Sequence, residues 1–376
     1  MEVVLSIPFH PEKNIGGVGS VSRNLVSGLK NNIDLLEKYD VKINLLSPID
    51  NSNLAISDSK HLTNRSYSVN IHPILTGMHH ATKNFDKILK EKKIDIVHSH
   101  DPYIALCGIK KNITTFFTLH GVVWEEYKYR NVKIYPYPTM WKLRKIFLKL
   151  DKFLAISPYI QDEVNEFFNF PKSKIDIMEN PISEDFFQKK DEFQQGLIFF
   201  PGVISKRKNQ ITMCKVINTL KESGEKDFKV IFTGSVLNKN YYRKIKNYIN
   251  KKRINKYVEL KENVPFSVII DLYKKSNCVV LTSKQETAPM VISESMASST
   301  PIISNNICGA PYMIDHKKDG YLYNDIDGLI LYLTEIINDK NRTLKMGIKG
   351  NQKALKRWSN NIIANNLINY YYNYEG

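Results

Sequence analysis

The sequence predicts an α/β protein of two doubly wound, Rossmann-like domains, and three observations carry that prediction. Short, nearly continuous apolar runs recur along the 376 residues with amphipathic stretches between them. This is the pattern of parallel strands covered by helices on both faces. The alternation restarts after Asn180-Pro181-Ile182, where a polar, acidic stretch (183–195) has no clear period. With 42% hydrophobic and 24% charged residues, the chain is long and apolar enough to bury two or three cores.

Each half can be read in order. The first half places strands at 3–7, 41–46, 94–98, 113–119 and 153–156, with helical spacing at 20–29 and 81–92 between them. The second half places strands at 197–200, 229–232, 257–260, 278–281 and 301–303, with amphipathic stretches at 210–221 and 241–252. Sheets of this kind bind ligands outside the carboxyl ends of their strands. The loops that follow strands therefore carry the functional argument.

The first such loop, 8–19, holds Gly16, Gly17 and Val18. Paired glycines let a backbone approach a ligand closely, but neither a Walker loop nor a full dinucleotide fingerprint follows. Histidines end two later strands, His98 and His100 after one and His120-Gly121 after the next. Imidazoles there can coordinate a metal, donate to phosphate, move protons or simply pack, and His98 reads as a packed residue because it continues its strand. In the second half Gly202 precedes Lys206-Arg207-Lys208, a candidate diphosphate clamp. Last come Glu286 and Glu294, either side of a strand-to-helix turn, with Ala288, Pro289, Met290 and Val291 between them. A helix N-terminus offers backbone N–H groups and a positive dipole end to a phosphate, while flanking carboxylates can hold hydroxyls.

The bulk numbers narrow the class without choosing the ligand. A net charge of +16 favours anionic partners such as nucleotide sugars, acidic lipid surfaces or nucleic acid. Nucleic-acid binding has only this charge behind it, since no helix-turn-helix, RRM or zinc module is visible. Four scattered cysteines indicate neither a disulfide framework nor a zinc site, and a reducing cytoplasmic compartment is expected. The N-terminus has no signal-peptide pattern, and no apolar run approaches the ~20 residues that span a bilayer.

Taken in order, these motifs resemble the family 4 retaining glycosyltransferases of GT-B architecture. Besides those above, the resemblance rests on Asp95-Ile-Val-His98-Ser-His100, Thr118-Leu-His120-Gly121, Ala155-Ile-Ser-Pro158, Gly234, Gly309-Ala-Pro311, Asp319-Gly320 and Trp358-Ser359. It covers almost the whole chain, and the paired glutamates are its most specific part. It implies an acceptor-binding domain (1–180), a nucleotide-sugar domain (181–355) facing it across a cleft, and a helix (356–376) returning to the first. It assigns Arg207 and Lys208 to the donor diphosphate, Glu294 to the ribose hydroxyls and Glu286 to the donor sugar. His120 would face the donor sugar and acceptor, and Gly16, Gly17 and Val18 would admit the phosphates. Two positions depart from the family pattern. Val203 stands where an arginine usually follows the glycine, so Arg207 is expected to take over, and Thr287-Ala288-Pro289 replaces Gly-Phe-Gly.

The implied reaction is retaining transfer from a UDP-sugar, with GDP as runner-up. No resident cofactor or metal is expected, and no Asp-x-Asp motif lies in the donor loops. The expected acceptor is lipid-linked or a polysaccharide precursor at the cytoplasmic membrane face. The segment 124–153 supports that expectation, with eight lysines and arginines against three acids. Within it Met140, Leu143, Ile146, Phe147 and Leu150 form a helical apolar stripe, expected to pack inward while the basic face meets lipid headgroups. Two alternatives stand beside this reading: a catalytically degenerate GT-B subunit that partners another glycosyltransferase, and a sugar-nucleotide epimerase.

Overall fold

The computed structural model describes residues 1–7, 16–49, 59–65, 67–68, 75–129, 137–187, 190 and 192–374. The N-terminal part of the glycine loop, 8–15, lies outside the described residues. The chain divides into two compact units. The first comprises Met1–Trp124, Val132–Ile182 and Trp358–Gly376, and the second Glu125–Asn131 and Ser183–Arg357.

The first unit holds β1 (Glu2–Ser6), β2 (Lys42–Leu46), β3 (Pro48–Ile49), β4 (Leu62–Asn64), β5 (Tyr67–Ser68), β6 (Ile96–Ser99), β7 (Thr114–Leu119), β8 (Lys152–Ala155) and β9 (Ile175–Ile177). Seven of them form one parallel sheet in the order β4-β2-β1-β6-β7-β8-β9, and β3 pairs with β5 separately. Strand order reverses at β1, so the crevice for a ligand opens beyond the carboxyl ends of β1 and β6. Two helices, Gly16–Asn31 and Asn360–Asn373, share the core on one face with Leu5, Phe116, Leu154, Leu367 and Tyr371. The C-terminal helix is locked in place at its start. The Ile182 N–H donates to the Trp358 carbonyl (2.9 Å), the Trp358 indole donates to Glu179 (3.0 Å), and Ser359 caps the helix through the Ile362 N–H.

The second unit holds β10 (Gln194–Pro201), β11 (Lys229–Thr233), β12 (Val258–Lys261), β13 (Ser276–Leu281), β14 (Ile302–Asn305) and β15 (Gly320–Tyr323). They form a parallel sheet in the order β12-β11-β10-β13-β14-β15, with its reversal between β10 and β13. Residues such as Ile198, Phe200, Met213, Val230 and Val280 are fully buried beneath the helices. This is the α/β, two-domain GT-B arrangement that the sequence predicts. The structure adds strands that the apolar pattern does not mark, among them β4, β9 and β15. No helix among the described residues is long and apolar enough to cross a membrane.

Candidate functional site

In the second unit the loops after β10 and β13 meet. Thr282, just beyond β13, donates its hydroxyl to the carbonyls of Lys208 (3.2 Å) and Asn209 (3.0 Å). The Lys284 N–H donates to the Arg207 carbonyl (2.8 Å). Asn209 takes φ 56°, a turn that asparagine tolerates, and the helix Gln210–Glu222 begins directly after it. The basic triplet therefore precedes this helix and does not lie in it. Of its members Lys206 is exposed, Arg207 is partly buried and Lys208 is buried.

Glu286 is the centre of this cluster and is buried (7% exposed). One carboxylate oxygen lies 2.5 Å from the Lys208 ammonium and the other 3.2 Å from the Arg207 guanidinium. Arg207 also donates to the Gln285 carbonyl at 2.9 Å. Burial alone would raise the Glu286 carboxyl, but Lys208 and Arg207 outweigh it and hold it below the usual carboxylate range. A buried carboxylate paired with two cations stays ionised. The Gln285 side-chain amide is buried without a partner among the described residues, next to this cluster.

Pro289 stands at the N-cap of Met290–Ala297, one place earlier than a first helical residue. The N–H groups of Met290 and Val291 lie in the first turn, out of reach of the helix's own carbonyls. Ala288 and Pro289 lead into that turn from Glu286. The backbone here is set by close approach. A Cβ on Gly309 would lie 1.9 Å from the Thr287 carbonyl oxygen, and the Gly309 N–H donates to the Glu286 carbonyl (3.0 Å). Gly234, at φ 139°, abuts Gly202, where a side chain would meet the Gly202 carbonyl at 2.3 Å. Only glycine fits at these two contacts.

Glu294 lies one turn into the helix and keeps partial exposure. Its carboxylate accepts from the Tyr273 hydroxyl at 2.7 Å. Burial raises its carboxyl above the usual range, and the tyrosine bond and the Lys208 charge pull the other way without cancelling it. Glu286, Glu294, Arg207 and Lys208 thus gather at the carboxyl ends of β10 and β13.

The first unit has a second cluster at its own strand ends. His98, in β6, is buried between the Tyr371 hydroxyl (2.6 Å) and the Thr118 hydroxyl (2.8 Å). His100 and His120 share a hydrogen bond of 2.8 Å between their rings. Burial holds all three imidazoles neutral. It lowers His98 to about 3 and His120 to about 4, and pushes His100 well below its ordinary value. With Asn180 and Glu179 they line a cavity of about 20 Å³. Asp101 is accounted for by its helix: it caps Pro102–Lys110, accepting from the N–H groups of Tyr103 (2.8 Å) and Ile104 (3.2 Å). Gly16, Gly17 and Val18 form the first turn of Gly16–Asn31. Among the described residues, nothing lies within 4 Å of where a Cβ on Gly17 would stand.

Tyr273 and Tyr371 touch the two clusters, and sequence reasoning did not find them. Their partners are 21 and 273 residues away along the chain, and no local pattern marks them. Within the basic segment, Leu143, Ile146, Phe147 and Leu150 are buried. On the same stretch Trp141 is 59% and Leu148 72% exposed, and the Lys145 ammonium lies 3.5 Å from the Trp141 ring centroid.

Two family models match the chain. One is described as Glycosyl transferases group 1 and matches residues 182–353, and the other as Glycosyltransferase Family 4 and matches 15–186. An uncharacterized glycosyltransferase of Methanocaldococcus jannaschii is 24% identical over 370 residues, covering 95% of this chain and 94% of its own. The UDP-Gal:alpha-D-GlcNAc-diphosphoundecaprenol alpha-1,3-galactosyltransferase of Escherichia coli is 24% identical over 282 residues, 68% of this chain and 69% of its own. Among solved structures, Anabaena HepE in complex with UDP aligns with a TM-score of 0.74 at 13% identity and covers 99% of both chains.

Proposed function

The chain belongs to the family 4 glycosyltransferases, and from that premise we propose that it moves a sugar from a UDP-linked donor to a lipid-linked or polysaccharide-precursor acceptor, with retention and without a metal. The observation that carries this reading is the buried Glu286 carboxylate held by Lys208 and Arg207 beside the first turn of Met290–Ala297. A donor supplies both kinds of group this cluster is built for, an anionic diphosphate for the cations and sugar hydroxyls for the carboxylate. UDP is favoured because it is bound to Anabaena HepE, and because the E. coli galactosyltransferase is named for a UDP-Gal donor and a diphosphoundecaprenol-linked acceptor.

The chemistry follows from charge. The bond between the anomeric carbon and the β-phosphate oxygen breaks, and the acceptor hydroxyl oxygen bonds the same face of that carbon. The hydroxyl proton passes to the departing phosphate oxygen, so nucleoside diphosphate and glycoside are the products. Negative charge grows on the β-phosphate, where Arg207, Lys208 and the N–H groups of Met290 and Val291 stabilise it. Glu286 holds the sugar hydroxyls near the reacting carbon, Glu294 takes the ribose hydroxyls, and neutral His120 takes a sugar or acceptor hydroxyl.

The acceptor reading places the enzyme at the cytoplasmic membrane face. Exposed Trp141 and Leu148, beside exposed Arg144, Lys145 and Lys149, support contact with an anionic bilayer. Co-sedimentation with liposomes should rise with anionic lipid content, and binding that ignores lipid charge contradicts this part.

The test of the whole reading is a nucleotide-sugar panel without acceptor, followed by thermal shift and by release of nucleoside diphosphate. A UDP-sugar should stabilise the protein by mass action and be slowly hydrolysed, with EDTA making no difference. Binding of no donor contradicts the proposal and favours a catalytically degenerate subunit.

A further inference from the structure

Tyr273 is fixed more firmly than its place near the end of the helix Phe266–Lys275 requires. Its ring is fully buried and stands edge-on against Phe199 (5.0 Å, 86°) and Phe186 (5.5 Å, 88°). Its carbonyl accepts from the Thr300 hydroxyl at 2.7 Å, and that hydroxyl in turn takes the Lys190 ammonium at 2.8 Å. Ring and backbone are therefore both held. A phenylalanine would make the same aromatic contacts without burying a hydroxyl. That hydroxyl donates 2.7 Å to Glu294 Oε2.

A glutamate on the second turn of a short helix ordinarily samples several rotamers. The tyrosine bond ties one oxygen of the Glu294 carboxylate to the core and leaves Oε1 to receive donors from a ligand. Orientation lost before binding is not lost again on binding, which is the advantage of a pre-arranged group. Resting on the reading of Glu294 as the ribose site, we propose that Tyr273 is a positioning residue for the donor. It fixes the Glu294 carboxylate in the geometry that accepts the 2′- and 3′-hydroxyls, and so sets the preference for a ribonucleotide.

The test is calorimetric titration of UDP and 2′,3′-dideoxy-UDP into wild type, Tyr273→Phe, Glu294→Gln and the double variant, each first checked for an unchanged melting temperature. Wild type should prefer UDP by about tenfold or more, the usual worth of a hydrogen bond to a charged group. Tyr273→Phe should weaken UDP severalfold and leave dideoxy-UDP unchanged. In the Glu294→Gln background it should change neither. A wild type that does not distinguish the two nucleotides overturns the ribose reading of Glu294 itself. A wild type that distinguishes them, with Tyr273→Phe keeping the full ratio or losing both nucleotides equally, overturns the positioning role and leaves the ribose reading intact.

Discussion

The two units place polar clusters at equivalent points of similar sheets and treat charge in opposite ways. In the first, desolvation keeps three imidazoles neutral, so they exchange hydrogen bonds with hydroxyls and with one another. In the second, a carboxylate is buried with two cations, and the net positive balance suits an incoming diphosphate. Architecture fixes where a ligand binds, at the carboxyl ends of the strands, and side-chain chemistry decides which ligand. A neutral hydrogen-bonding site fits hydroxyl groups, and an ionic one fits a nucleoside diphosphate.

The largest expected effect breaks the ionic cluster. Glu286→Gln should lower turnover by roughly 10²–10³-fold, on the scale of one lost electrostatic partner in the transition state. UDP affinity should hold, since Arg207 and Lys208 remain. Steady-state kinetics beside UDP titration checks both halves. Next, Glu294→Ala should raise the donor KM by about tenfold or more with kcat nearly kept, because it removes binding common to substrate and transition state. Equal activity in the Glu286 and Glu294 variants contradicts the division of roles.

Acid sharpens the comparison. The buried histidines refuse protons that the unfolded chain accepts below about pH 6.5. Their contribution is full above that pH and is lost as pH falls toward about 4 for His120 and about 3 for His98. Glu286, held below the usual carboxylate range, contributes fully above about pH 4.5 and is lost only as pH falls through its own lower value. The first unit should therefore loosen first. All three tryptophans, Trp124, Trp141 and Trp358, lie in it, so fluorescence should change at a higher pH than far-UV dichroism of the whole chain. Coincident transitions below pH 4 would contradict the argument.

The smallest effect is structural. Tyr371→Phe leaves the His98 imidazole without one of its two bonds, at a cost of ~1–3 kcal/mol, or a few degrees in melting temperature. Donor binding in the second unit should not change.

Much of this was legible in the sequence, and the misses have physical causes. Central strands such as Ile198–Phe200 and Val279–Leu281 are enclosed on both faces, so their residues must be apolar and the run is visible. Strands β4, β9 and β15 are three or four residues long and sit at sheet edges, too short for an apolar run or an alternation to show. Leu-Thr-Asn and Ile-Asp-Ile carry no signal that separates them from a loop. The site divides similarly. Glu286, Glu294, Arg207 and Lys208 stood out because each belongs to a local motif with a strand before it and a helix after. The Lys208–Glu286 pair itself joins residues 78 apart, and a pairing of that kind comes only from the sheet order that brings β10 beside β13. Tyr273 and Tyr371 act through one hydroxyl each, on helices whose apolar spacing reads as ordinary packing.

The claim that the ionic cluster of the second unit grips the donor's diphosphate is tested most directly by titrating UDP into wild type, Lys208→Met and His120→Ala, all confirmed folded. Lys208→Met should weaken UDP by about tenfold or more, in line with a charged hydrogen bond, and His120→Ala should bind it as wild type does. Undiminished UDP affinity in Lys208→Met, with loss in His120→Ala, would contradict the account.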